Sequence, residues 1–426
     1  MSQETARLAP LDSGAHSKYQ RLGFVLAIFG PGLVVMLADT DVGSLVTAAQ
    51  SGARWGYKLL LLQLILIPVL YVVQELTVRL GVHTGRGHGE LIRDIFGAHW
   101  AWISVTGLVV ACFGALITEF SGVASIGLLF GVPHWISLSL AAGFLLLVVW
   151  TGSYKRVERI AVLFGLFELV FFWIAFSSKP DPAAMVAGLA SAPFSNPDYR
   201  FLIAANIGAV IMPWMIFYQQ SAIADKGLAP EHYKAARWDT ALGALLTQMV
   251  MAAVLVATAA TIGRINPGAP LETIGQIVEA FVPFLGENLG KVVFSAGVLG
   301  AAFVAAIVVS LATAWGLGEV TGYRHSLQRK PARAPWFYAV YTIMVVGGAL
   351  VVAEVPSLVS LNLAVEVMNA LLLPLVLGLL YALAMKALPE SARPGHIYRW
   401  VVLAVVVMTS LLGVYAGLSG VLAMAL

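Results

Sequence analysis

Charge is the first thing this chain has little of. Only 11% of its 426 residues are charged, against 60% hydrophobic, and mean hydropathy is +0.88. A soluble domain carries roughly 25% charged residues, so this composition excludes a water-covered globule. Cysteine is nearly missing. The lone Cys112 rules out an intramolecular disulfide and reads as a packing residue. Histidine is scarce as well. His16, His83, His88, His99, His134, His232, His325 and His396 all fall in tails, loops or span ends. No imidazole is therefore left mid-membrane to relay protons near neutral pH. Low-complexity segments are absent, and the longest polar connections are 178–200, 223–238, 263–289 and 320–335. A formal charge of +3 is too small to point to a nucleic-acid partner. There is no nucleophile–base constellation and no His-Glu-x-x-His motif, so the chain does not read as an enzyme.

Long apolar runs are abundant instead, and they define an all-α polytopic membrane protein. A β-barrel would show short alternating segments. The runs lie near 23–53, 57–80, 101–129, 133–151, 157–177, 201–222, 239–262, 290–319, 336–352, 358–386 and 398–424. Residues 1–20 are polar and read as a cytoplasmic tail rather than a leader, because the first run is too long for a signal h-region. Residues 21–426 then form one transmembrane domain of about 11 helices. The first, third and eighth runs are long enough to tilt, bend or break. Placing the N-terminus inside leaves only Arg54, Lys58, Lys179, Arg200, Arg264 and Lys291 outside, against all the rest of the 25 Lys and Arg. The positive-inside rule thus predicts a cytoplasmic N-terminus and an external C-terminus. A bacterial inner membrane is the expected home.

Two spans carry the same defect. The first, "FGPGLVVMLADTDVGS", has Gly30, Pro31 and Gly32 near its start and Asp39 and Asp41 in its middle. The sixth, "NIGAVIMPWMIFYQQ", has Pro213 in its middle. Proline removes a backbone donor and clashes with the preceding turn, and glycine weakens a helix. Spans one and six correspond if spans 1–5 and 6–10 are two repeats. Paired interruptions in corresponding spans point to a transport site at an inverted-repeat interface. Two acids beside one break also need a reason, since a charge near a bilayer centre costs about 2.5–3.5 kcal/mol on insertion scales.

These residues resemble a known family. "GPGLVVMLADTDVGSLVTAAQSGARWGYKLL", continuing through "QELTVRLGVHTGRG", is similar to the first-span signature of the NRAMP divalent-metal transporters, and "GAVIMPWM" resembles the family's Ala-x-x-Met-Pro-His. The likeness is good over spans one to eight, loose in the tenth and faint in the eleventh. It implies a LeuT-type fold: two inverted five-helix repeats plus an eleventh helix, with helices 1 and 6 broken mid-membrane. It further implies that Asp41 is the metal-binding aspartate, that Gly43 belongs to the same turn, that Ala209 offers a carbonyl and that Met212 offers a thioether. The departures are Val42 for proline, Ser44 for the metal-binding asparagine, Trp214 and Gln219 for two histidines, and an extra acid, Asp39. Together with "VVSLATAWGLGEVTG" and "EVMNALLLP", they look like the divergent branch associated with magnesium transport.

The donor chemistry pulls two ways. A carboxylate with carbonyl and hydroxyl oxygens suits a hard ion, and Mg²⁺ takes one or two carboxylates while keeping several waters. A thioether suits softer metals such as Mn²⁺ and its neighbours. Asp41, Ser44, Ala209, Met212 and Asp39 are the expected metal residues. Glu119, Gln219, Trp214, Glu366 and Asn369 are expected along the pathway, with Glu168 a further intramembrane acid. Glu75 and Arg79 read as an i, i+4 helix pair. The transported divalent cation is the expected partner besides the bilayer, and no cofactor is implied. Three transport readings follow: a divalent-cation carrier favouring Mg²⁺ with Mn²⁺ accepted and no obligatory proton symport; a proton-coupled Mn²⁺/Fe²⁺ importer; and a Na⁺-coupled amino-acid transporter, whose substrate carboxylate the two aspartates would repel.

Overall fold

The computed structural model describes residues 30–267, 271, 274–278, 286–354 and 359–425. The expected tail, residues 1–20, and the start of the first run lie outside them. The expected spans stand as helices with edges shifted by a few residues. The second to fifth are Leu60–Thr84, Ala98–Leu129, His134–Trp150 and Tyr154–Ser177. The seventh to eleventh are Tyr233–Ala260, Glu287–Thr321, Pro335–Glu354, Val359–Lys386 and His396–Ala425. Spans one and six are each two helices: Pro31–Asp39 with Val42–Trp55, and Pro197–Val210 with Pro213–Lys226. Among the described residues nine helical runs are long and apolar enough to cross a membrane, and His134–Trp150 is shorter. One of the nine joins Val42–Trp55 to span two, but Gly56 with φ 59° separates them. The count is then the eleven of the sequence.

Both expected breaks exist, and each has a local cause. In span six the carbonyl of Ala209 would pair with the amide of residue 213, which is proline and has none. The helix ends at Val210, and Met212 in extended backbone (φ −99°, ψ 141°) starts the next. In span one Thr40 closes the first half, and Asp41 (φ −77°, ψ 174°) caps the second, its Oδ1 accepting from the Ser44 amide at 2.7 Å. The long spans three and eight run unbroken.

Other features go beyond the sequence reading. Gly30, with φ 147°, caps the helix Pro31–Asp39, and Pro31 lies in its first turn. There Asp239 of span seven accepts from the amides of Gly30, Gly32 and Leu33 at 3.1, 2.8 and 3.2 Å. A carboxylate thus answers the positive end of span one. Span five holds a 3-10 turn, Leu166–Leu169, that carries Glu168. Two short helices, His88–Phe96 and Pro182–Leu189, occupy stretches read as loop. The Glu75–Arg79 pair is real, at 2.7 Å, yet it is more than a helix pair: Tyr233 and Tyr398 also donate to the Glu75 carboxylate.

Packing places the two breaks at the centre. The apolar window of Pro197–Lys226 is wholly buried, whereas that of span eleven is 39% buried. Span seven lies along both halves of span one, and the first half of span six lies against spans ten and eleven. Leu140, Leu147, Ile343, Met408 and Leu411 are exposed on the outer spans. A bilayer would cover them.

Candidate metal centre

The breaks face each other. Ser44, in the first turn of the second half of span one, donates its hydroxyl to the Ala209 carbonyl at 2.9 Å. That carbonyl is available because Pro213 cannot use it. Four expected residues, Asp41, Ser44, Ala209 and Met212, are thereby gathered at one level, each at most 1% exposed. Asp41 spends one oxygen on the helix cap. Its other oxygen, Oδ2, is buried without a hydrogen-bond partner. Burying an unpaired carboxylate oxygen is costly, and a cation beside it would offset that cost.

Two expected pathway acids lie against the turn that follows Asp41. Glu119 of span three accepts from the Val42 amide through Oε2 at 3.3 Å, which keeps that amide out of the helical ladder, and its Oε1 has no partner. Glu366 of span ten accepts from Asn369 at 3.1 Å through Oε2. Its Oε1 lies so close to Gly43 that a Cβ there would strike it. Gly208 is equally tight against the Glu366 backbone carbonyl. Two glycines thus let span ten approach both breaks, which is their use here. The Asn369 carbonyl oxygen is buried and unpartnered.

Asp39 turns away from Asp41, toward span seven. Its Oδ2 accepts weakly from Thr247 at 3.4 Å and Gln248 at 3.5 Å, and its Oδ1 has no partner. Thr247 also bonds Thr40 at 2.7 Å. These two span-seven residues were missed in the sequence. The signal was there, as adjacent polar side chains in an apolar run. Gln219 does not join the centre. It sits two turns below the break, accepting from Thr77 and donating to Thr240 at 2.5 and 2.7 Å, so it braces spans two, six and seven. Trp214 is buried beside the break and donates its indole N–H to the Met212 sulfur at 3.2 Å.

Five carboxylates, Asp39, Asp41, Glu119, Glu168 and Glu366, are each at most 1% exposed. No ion pair among the described residues involves any of them. Among those residues no three His, Cys, Asp or Glu side chains converge to hold a metal by themselves. The arrangement therefore offers unpartnered oxygens of Asp41, Glu119 and Asn369, with the Ala209 carbonyl and the Ser44 hydroxyl, among acids that no basic side chain pairs. That suits a cation which keeps part of its water shell.

Known proteins resemble this chain in sequence and in fold. The family model for Nramp, described as natural resistance-associated macrophage protein-like, matches residues 32–419. A divalent metal cation transporter MntH of Yersinia pestis (strain Pestoides F) is 31% identical over 304 residues, 67% of this chain and 71% of the relative. The MntH of Klebsiella pneumoniae (strain 342) is 29% identical over 294 residues, 67% and 70% of the two chains. The Eremococcus coleocola manganese transporter, crystallised with an aromatic bis-isothiourea substituted compound, superposes with a TM-score of 0.76 at 20% identity, covering 97% of this chain and 91% of that one. MhsT in complex with L-phenylalanine superposes at 0.63 with 14% identity, covering 96% and 100%. At such identities the two structures speak for the fold alone, and that fold is the LeuT type.

Proposed function

The chain belongs to the Nramp family, and from that premise we propose that it is a membrane transporter carrying divalent metal cations by alternating access, with Mg²⁺ favoured and Mn²⁺ accepted, and without obligatory proton symport. The observation that carries the reading is the buried, unpartnered Oδ2 of Asp41 at the junction of two helix breaks. The cation binds there, beside the Ala209 carbonyl and the Ser44 hydroxyl, with Glu119, Glu366 and Asn369 around it. Each of these side chains is at most 1% exposed, which supports reading this arrangement as an occluded one. Alternating access then opens it to one side at a time by rocking one helix bundle against the other.

Mg²⁺ is favoured because the available donors are oxygens, with free carboxylate oxygens from two acids, Asp41 and Glu119. Met212 keeps Mn²⁺ acceptable. Proton symport is not obligatory because the family's two histidine positions hold Trp214 and Gln219, neither of which titrates, and Gln219 is engaged by Thr77 and Thr240. The chain sits in a bacterial inner membrane with its N-terminus in the cytoplasm, as its distribution of Lys and Arg supports.

A proton-coupled Mn²⁺ importer is the second reading, and one observation favours it. A single divalent ion balances two of the five buried carboxylates and leaves protons to balance others. Uptake into liposomes of Mg²⁺, Mn²⁺ and Ca²⁺ with an internal pH dye decides. We expect Mg²⁺ and Mn²⁺ entry without acidification, and loss of both in Asp41→Ala. Metal-driven acidification would replace the first reading by the second, and wild-type uptake by Asp41→Ala would remove the site.

A further inference from the structure

We propose that Trp214 sets the metal preference of this site by occupying the Met212 sulfur, so that the one soft donor at the break is withheld from the cation. This rests on the metal-site reading above and deepens it. Met212 caps the second half of span six and is fully buried. Its sulfur accepts the indole N–H of Trp214 at 3.2 Å, two residues on in the first turn of that helix. The indole has no other use for that proton here, since Nε1–H is its single polar group. Both side chains are shut in, Trp214 being among the largest wholly buried residues of the chain, so neither swings away without repacking the core.

The consequence is chemical. A thioether is a neutral, weak donor whose value to a metal lies in its polarizable lone pairs. An N–H pointed at the sulfur draws on that density and places a positive hydrogen where a cation would approach. It also fixes the side chain. The oxygens are treated differently. Asp41 Oδ2, Glu119 Oε1 and Asn369 Oδ1 carry no hydrogen-bond donor. The break thus presents free hard oxygens and one engaged soft sulfur. Selectivity is tuned one atom outside the ligands. Removing the N–H while keeping an aromatic ring should release the sulfur and favour soft ions over Mg²⁺.

The test compares Cd²⁺ (soft) with Mg²⁺ (hard) by calorimetry on the full-length protein in detergent. All forms carry Cys112→Ala, so that no thiolate competes. Trp214→Phe should raise the affinity for Cd²⁺ relative to Mg²⁺ about fivefold, the scale of one neutral hydrogen bond, and Met212→Leu added to Trp214→Phe should abolish that gain. A ratio that does not move, or a gain that persists without Met212, overturns the inference alone. Failure of the parent protein to bind either ion overturns the inference and the metal site together. Cd X-ray absorption on the parent needs no tryptophan variant to fold. A shell of oxygen scatterers supports the inference, and a sulfur scatterer bound to Cd²⁺ in the parent overturns it.

Discussion

At the scale of the residue, Asp41 divides its labour. One oxygen starts a helix by taking the Ser44 amide, and the other faces the junction unpaired. The sequence made Asp41 legible because an acid beside a helix break in an apolar run has few structural uses. The family resemblance set Asp41 apart from Asp39, but nothing in the sequence pointed to the partners of Asp39. Finding them required seeing Asp39 turn toward Thr247 and Gln248 on span seven, a neighbour about 200 residues away. Gly43 is the other decisive residue. A methyl group there would push the flexible end of Glu366 away from the break and leave the backbone undisturbed. Gly43→Ala is therefore expected to raise the apparent KM for metal about tenfold, equivalent to roughly 1.4 kcal/mol, with little change in Tm. Uptake kinetics alongside a thermal melt would check it. An unchanged KM would mean that Glu366 does not see the ion.

At the scale of the element, the half-helices are held from outside themselves. Asp239 takes three amides at the start of span one, a cap supplied by span seven rather than by local sequence. Asp239→Ala should lower stability by about 1–2 kcal/mol, the usual loss of a side-chain cap. Thermal melts of the two forms measure it, and an equal Tm would show that water or backbone replaces the cap. The same element shows what sequence could and could not reveal. The break in span six was legible because proline acts locally, through one missing amide. The cap on Gly30-Pro31-Gly32 was not, because its partner Asp239 lies about 200 residues away in span seven. The 3-10 turn around Glu168 had only Gly165, just before it, to announce it. The helices His88–Phe96 and Pro182–Leu189 were hidden by their short length among polar residues.

At the scale of the whole molecule, spans one, six and ten meet at one buried, acid-rich junction, while the connecting helices lock the ends of the bundle. His88, in the short helix after span two, is one such lock. It is wholly buried, its Nδ1 donating to Gln220 at 2.9 Å while Gln220 donates to the Arg86 carbonyl at 3.0 Å. Burial pushes its pKa down to about 4 against a model value of 6.5. The folded protein therefore keeps it neutral, and the unfolded chain takes the proton first. Its contribution is complete above pH 6.5 and is lost as pH falls from there toward 4, by on the order of 3 kcal/mol. In His88→Gln the fall in Tm across that window should be shallower than in the parent, and identical slopes would refute the assignment. The central claim, that the cation sits where the two breaks meet, is tested most directly by diffraction from crystals soaked in Mn²⁺. An anomalous peak bonded to Asp41 Oδ2 and within ligand distance of the Ala209 carbonyl, lost in Asp41→Ala, is the predicted result. A peak away from Asp41, or one that survives its removal, would contradict the account.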